Sequence, residues 1–372
     1  LGVVLLLAGF SIVTLAAVET KKSTSDGSDS SHLAQIGEMS VARAAHQATL
    51  LQSGEILITG GCSGSCDTDL RSTEIYEPRS QMFRPAAAMA TVRDSHAAIP
   101  LTDGRVLVIG GWSERQATSS AEIYEPKSNR FVTTGSMAVA RAAPSATPLP
   151  DGRVLVTGGQ TSGLEPLASS EIFDPNSASF SPSASMSVPR ISHVAVSLAD
   201  GRVLVVGGRQ ARRGEILNTA EIFDPSTGKF QPTGSMNSPR HKHAAALLPD
   251  GRVLVIGGSD VRDQRGRYRS TEIYDPKAGS FTAGPDMQSP RFKLPHAVAT
   301  LSYGAILVAG GASRMELYDP KTDSFAVIPG ELKDAMEFAT ASALPNGEVL
   351  LLGGYDHEIR TSASAWLVRA QH

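Results

Sequence analysis

The chain has 372 residues, a formal net charge of −3, 5% aromatic residues and two cysteines. Charges of both signs are spread along it, which excludes a general pull toward nucleic acid or lipid, and two thiols cannot build a disulfide framework. The length could hold two average domains, but repetition along almost all of it points to one closed array.

Residues 1 to 18 are almost wholly apolar and are followed by Lys21, Lys22 and a polar run from Ser23 to Ser31. The pattern reads as a secretory signal cleaved near Ala16-Ala17. An uncleaved anchor is the alternative, since about 18 apolar residues is the lower limit for a span. No cysteine follows the run, which argues against a lipoprotein anchor. Either reading places the remainder outside the cytoplasm: secreted, periplasmic or membrane-anchored. Residues 19–32 read as a flexible linker, and residues 33–372 as the folded domain.

From Leu33 onward the chain repeats. Asp250-Gly-Arg-Val-Leu-Val-Ile-Gly-Gly258 recurs from Asp103, Asp151 and Asp200, with weaker copies ending at Gly61, Gly311 and Gly354. The first glycines of the pairs (Gly60, Gly110, Gly158, Gly207, Gly257, Gly310, Gly353) lie 50, 48, 49, 50, 53 and 43 residues apart. Asp-Gly between two apolar runs predicts a hairpin with a type I′ turn, φ > 0 at both central residues. In the copy from Met236, Ala244 to Leu248 is predicted as strand A and Val253 to Ile256 as strand B. Thr271-Glu-Ile-Tyr-Asp-Pro276 is strand C, and Phe281 opens strand D. Glycine pair, Glu-Ile-Tyr/Phe-Asp/Glu-Pro, a fixed aromatic, then Met and Arg: the set resembles the kelch repeat, most closely the propeller of galactose oxidase and its bacterial relatives. The resemblance implies an all-β, seven-bladed β-propeller of four-stranded blades. In five repeats a phenylalanine stands six residues before the methionine, as in Phe83/Met89, and Leu33 stands six before Met39. The final repeat runs out before any strand D. Leu33 to Glu38 is therefore expected to supply it, closing the ring through the C-terminal blade.

In that topology the D–A connections and the loops after Gly-Gly share one face. Those loops differ from repeat to repeat, so binding is expected there. The recurring arginines (Arg43, Arg93, Arg141, Arg190, Arg240, Arg291) and strand C glutamates are expected to tie strands or blades together rather than to react. The histidines His46, His96, His193 and His243 share one repeat position. Imidazoles around an axis could bind a metal, but Pro144 interrupts the series and His296 is two residues out of register, so no metal or other cofactor is expected. Cys62 and Cys66 make an incomplete zinc site, and outside the cytoplasm a local disulfide is expected. Ligand contacts are expected from Trp112, Arg115, Gln160, Tyr355 and His357 just after glycine pairs. Basic contacts are expected from Arg209, Arg212, Arg213, Lys242, Arg262, Arg265 and Arg267, with Tyr268 beside them. Guanidinium groups with an aromatic suit a carboxylate, sulfate or phosphate.

The galactose oxidase resemblance raises copper-radical chemistry, which requires two tyrosines, two histidines and a tyrosine–cysteine cross-link. Tyr76, Tyr124, Tyr274 and Tyr318 are repeat positions and both cysteines share one loop, so that chemistry is disfavoured. The expected function is a monomeric binding module outside the cytoplasm for a protein or acidic glycan. An enzyme of the sialate-epimerase type, another kelch relative, is the alternative.

Overall fold

The computed structural model describes residues 32–211 and 214–370. The expected signal or anchor (1–18) and Arg212 and Arg213 lie outside the described residues. Among the described residues, no helix is long and apolar enough to cross a membrane.

Seven four-stranded antiparallel sheets make the seven blades of a propeller. Blade 1 runs from inner to outer edge as strand A Gln47–Leu50, B Ile56–Thr59, C Thr73–Glu77 and D Met82–Pro85. Strand B is the most apolar element of each blade and is wholly buried, as Val106–Ile109 and Val253–Ile256 show. Between blades 1 and 2, Leu57, Ile75 and Met89 pack with Val106, Val108 and Tyr124. On the outer side a strand C aromatic meets a strand D phenylalanine, as Tyr76 does Phe83 with centroids 5.1 Å apart.

The ring closes as the spacing predicts. Leu33–Glu38 pairs antiparallel with Ser364–Val368, outside Val349–Leu352 and Thr340–Ala343. Leu33 lies opposite Val368, the register place that Phe83 and Tyr76 hold in blade 1. The first and last of the described strands thus share one sheet and leave no open edge between first and last blades.

The A–B turn departs from the sequence expectation. Gly104 has φ 87°, but Asp103, Asp151, Asp200 and Asp250 are not in the left-handed region. Leu101 N bonds Arg105 O and Gly104 N bonds Leu101 O, so the connection is a tight turn ending in a left-handed glycine rather than a type I′ turn. The aspartate has a different job. Asp103 accepts Arg105 N at 3.0 Å and its guanidinium at 2.7 Å, fixing the turn through its side chain.

The glycine pairs let one blade approach the next. Gly61 has φ 96°, and a Cβ there would lie 2.6 Å from Ala44 O. Its N–H bonds Arg93 O at 2.7 Å. The Arg93 side chain meanwhile enters blade 2, donating to Gly110 O, Ser120 O, Ser120 Oγ and Glu122 Oε1 at 2.8–3.0 Å. One residue therefore has its backbone held by one blade and its guanidinium by the next. Arg43, Arg141, Arg190, Arg240 and Arg291 do the same with Glu74, Glu171, Glu221, Glu272 and Glu316. These are structural staples, as the repetition implied.

Candidate functional site

The D–A connections turn inward over the central channel. Two residues after each staple position, the chain takes a left-handed conformation: Ala45, Ser95, Ala143, Ser192, Lys242, Lys293 and Phe338, with φ between 47° and 59°. No glycine stands at any of these seven positions, and Phe338 is bulky, so the geometry is imposed from outside the residue. The imposing contacts pass from blade to blade. Ala45 N bonds Phe338 O, Ser95 N bonds Ala45 O, Ala143 N bonds Ser95 O, Lys242 N bonds Ser192 O and Phe338 N bonds Lys293 O, all at 2.8–3.1 Å. Six of these seven, all but Lys293, line a cavity of about 310 Å³ that His296 also borders. Nothing in local propensity marks this ring, and the sequence reading missed it.

The ring is chemically uneven. Blades 1 to 4 place only Ala and Ser there; blades 5 to 7 place Lys242, Lys293 and Phe338. Lys242 Nζ donates to Asp263 Oδ1 at 2.9 Å, and Arg209 Nη2 lies 3.6 Å from Asp263 Oδ2. Lys293 Nζ donates to Glu337 Oε2 at 2.5 Å and sits 4.9 Å from the Tyr355 ring centroid and 5.8 Å from that of Phe338. Burial works against the Lys293 ammonium, but hydrogen bonds with Glu337 and Tyr355 outweigh it and hold its pKa above the usual value. Burial wins at Lys242, whose pKa is lowered despite Asp263. His241, 3.2 Å from Asp263, is pulled down to about 4 by burial and then by Lys242 and Arg209, so it is neutral at pH 7. The sector thus gathers three cations against two carboxylates, with two aromatic faces beside them.

The sequence-predicted residues divide by place. Arg209, Lys242 and Tyr355 reach this sector. Trp112 and Gln160 hold the equivalent place in blades 2 and 3, bridged to Asp94 and Ala142. Arg115 is at the exposed tip of the Trp112–Ala117 hairpin, and His357 is exposed beside Glu358. Arg262 is held by Asp260 at 2.5 Å on the outer rim, its side chain 66% exposed. Arg265 is exposed in a short 3-10 turn, Asp263–Gly266, and Arg267 bridges Ser259. The Tyr268 ring covers the Arg240 staple, 4.9 Å from its guanidinium carbon. Lys293, Glu337, Phe338 and His296 complete the mouth. Of these, Glu337 and Phe338 carried no repeat signal, because the arginine that marks the position elsewhere is Met336 here.

Cys62 and Cys66 are joined in a disulfide that packs with Ala44 against Tyr355 and Phe338. The histidine series serves the blade contacts: His46 Nε2 bonds Thr340 Oγ1, His96 bonds Thr59 and His193 bonds Thr157, at 2.9–3.1 Å. Among the described residues, no group of three or more His, Cys, Asp or Glu side chains could hold a metal ion. The residues present do not fit a copper centre.

Ring, staples and repeat geometry define the class, a propeller whose blades are locked by Arg–Glu pairs beneath paired glycines. The kelch motif matches residues 95–138, 190–237 and 240–288, three stretches of this seven-bladed propeller. A fungal alcohol oxidase of the AA5 family, solved in complex with copper, is similar in fold. Its TM-score is 0.70 at 16% identity, over 89% of this chain and 75% of that one. A search of curated proteins finds no match.

Proposed function

We propose that this propeller is a non-catalytic binding module outside the cytoplasm, and that its mouth takes an acidic saccharide. The observation behind the reading is the Arg209–Lys242–Lys293 cluster against Phe338 and Tyr355 above the channel. A sugar carboxylate entering there would share the lysine donors now held by Asp263 and Glu337, while its ring stacks on an aromatic face. In that half-enclosed setting a charge-assisted contact contributes about 1.5–3 kcal/mol, against under about 1 kcal/mol on an open rim.

A second reading, a carbohydrate-active enzyme of the sialate-epimerase type, draws on Asp94 beside the mouth. Burial, and then the neighbouring Asp69 carboxyl, raise its pKa to about 7, a value suited to proton transfer. One experiment separates the two. Titration calorimetry with sialic and uronic acids should give saturable binding that weakens with salt. Lys242→Ala with Lys293→Ala should weaken it at least about tenfold, which is about 1.4 kcal/mol. Substitutions at Lys127 and Lys321, on the opposite face, should do little. Equal effects from both pairs would reduce the cluster to an ordinary solvated rim. Turnover of the bound sugar would favour the enzyme.

A further inference from the structure

Six blades carry an arginine staple; the seventh carries the socket without the arginine. In blade 2 the socket has three parts. Met89 N bonds Arg71 O at 3.0 Å, and Gly110 N bonds Ser120 O at 3.1 Å. Glu122 accepts Ala90 N and Thr91 N at 2.6 and 3.2 Å, and Arg93 fills the centre. Blade 7 keeps the backbone frame. Leu332 N bonds Ser313 O at 2.8 Å, Gly353 N bonds Ser364 O at 3.1 Å, and Gly311 N bonds Met336 O at 3.0 Å, as Gly61 N bonds Arg93 O. The two charged side chains are what changed. Met336 stands at the arginine position, and Trp366, opposite Leu351 as Glu74 is opposite Ile58, at the glutamate position.

Methionine brings no donor to the Gly353 and Ser364 oxygens, which stand where those of Gly110 and Ser120 receive Arg93. Ser364 also lines a groove of about 350 Å³, together with Leu332, Asp334, Met336, Asp356 and Trp366, among others. Two cations of the chain also line the groove: Lys333, and Arg360, which is held by Asp356 and Glu358 at 2.7 and 2.9 Å.

We propose that this groove docks an arginine side chain presented by a protein partner, completing in trans the contact that the other six blades make in cis. The planar guanidinium fork matches the carbonyl and hydroxyl of Ser364, the counterparts of the Ser120 oxygens that receive Arg93. The Trp366 ring offers a cation–π face where the glutamate would be, and Asp334 lines the same groove. A lysine ammonium, a point charge on a flexible stem, meets this set less well.

The test uses the full chain labelled at its methionine methyl groups, with N-acetyl-Gly-Arg-Gly-amide as the NMR probe. The Met336 methyl resonance should shift saturably, and the lysine analogue should bind at least about fivefold more weakly. Met336→Arg, which refills the socket in cis, should abolish binding as read at the Trp366 indole while the melting curve remains cooperative. No shift at Met336, equal binding of the lysine probe, or unchanged binding by M336R would each overturn the proposal. Should M336R fail to fold, Trp366→Leu decides: binding at Met336 must weaken, and equal or tighter binding refutes the site.

Discussion

The staple lends itself to a quantitative test in blade 3. Arg141 donates to Gly158 O at 2.9 Å, Ser169 O at 3.0 Å, Ser169 Oγ at 3.2 Å and Glu171 Oε1 at 2.9 Å, and both charged side chains are at most 3% exposed. Arg141→Met leaves Glu171 as a buried carboxylate with only Ala138 N and Val139 N as donors. Breaking a buried pair from one side costs about 3–5 kcal/mol, because the stranded charge loses its counterion. Glu171→Trp alone strands the guanidinium and should cost about as much. The double substitution copies the Met336–Trp366 pair of blade 7, where both residues pack into the core next to Leu332 and Val349. Removing both charges together leaves neither stranded, although tryptophan is larger than the glutamate it replaces. The double variant should therefore be destabilised by at least about 2 kcal/mol less than the sum of the singles, the coupling expected of contacting residues. Urea unfolding with unchanged m-values measures it. Additive losses would refute the view of the staple as a charge pair whose cost lies in being broken.

Two further outcomes follow from the same geometry. Deleting residues 1–32 should leave the urea midpoint nearly unchanged. Deleting 1–39 removes the closing strand and should cost about 3 kcal/mol from Leu33 and Ile36 burial alone; equal midpoints would exclude the closure. The second outcome concerns acid. Burial, and then the adjacent arginines, hold His46 and His96 well below the usual imidazole range and His193 at about 3. Because the folded pKa is the lower one, the stability these residues contribute is complete above about pH 6.5. It is lost at about 1.4 kcal/mol per histidine per pH unit as pH falls below that. Melting temperature should drop steadily from pH 7 to 5, and His193→Asn should flatten the slope; a pH-independent melting temperature would contradict the assignment.

Much of this fold could be read before any coordinate, because its determinants are local and periodic. A glycine pair about every fifty residues, the Arg and Glu at fixed offsets, and Leu33 standing where a phenylalanine should all follow from spacing along one chain. The Asp-Gly turn was legible as a turn but not in its type, since the aspartate side chain caps Arg105 and spares its own backbone the left-handed region. The mouth was legible only in part, as Arg209, Lys242 and Tyr355. Its remaining members depend on contacts between residues far apart in sequence: Gln47 Nε2 meets His296 Nε2 at 3.0 Å, and Ala45 N bonds Phe338 O. His296 reaches the channel because two extra residues, Pro295 and His296, precede strand A of blade 6, while Leu294 takes the histidine's place against Gly257. Such pairings arise only when the last blade closes on the first. Sequence therefore determined the repeat, the staples and the closure, each a matter of offset within one blade. Tertiary structure decided which side chains share the mouth, and which socket lacks its arginine, because both depend on neighbours that only the closed ring brings together.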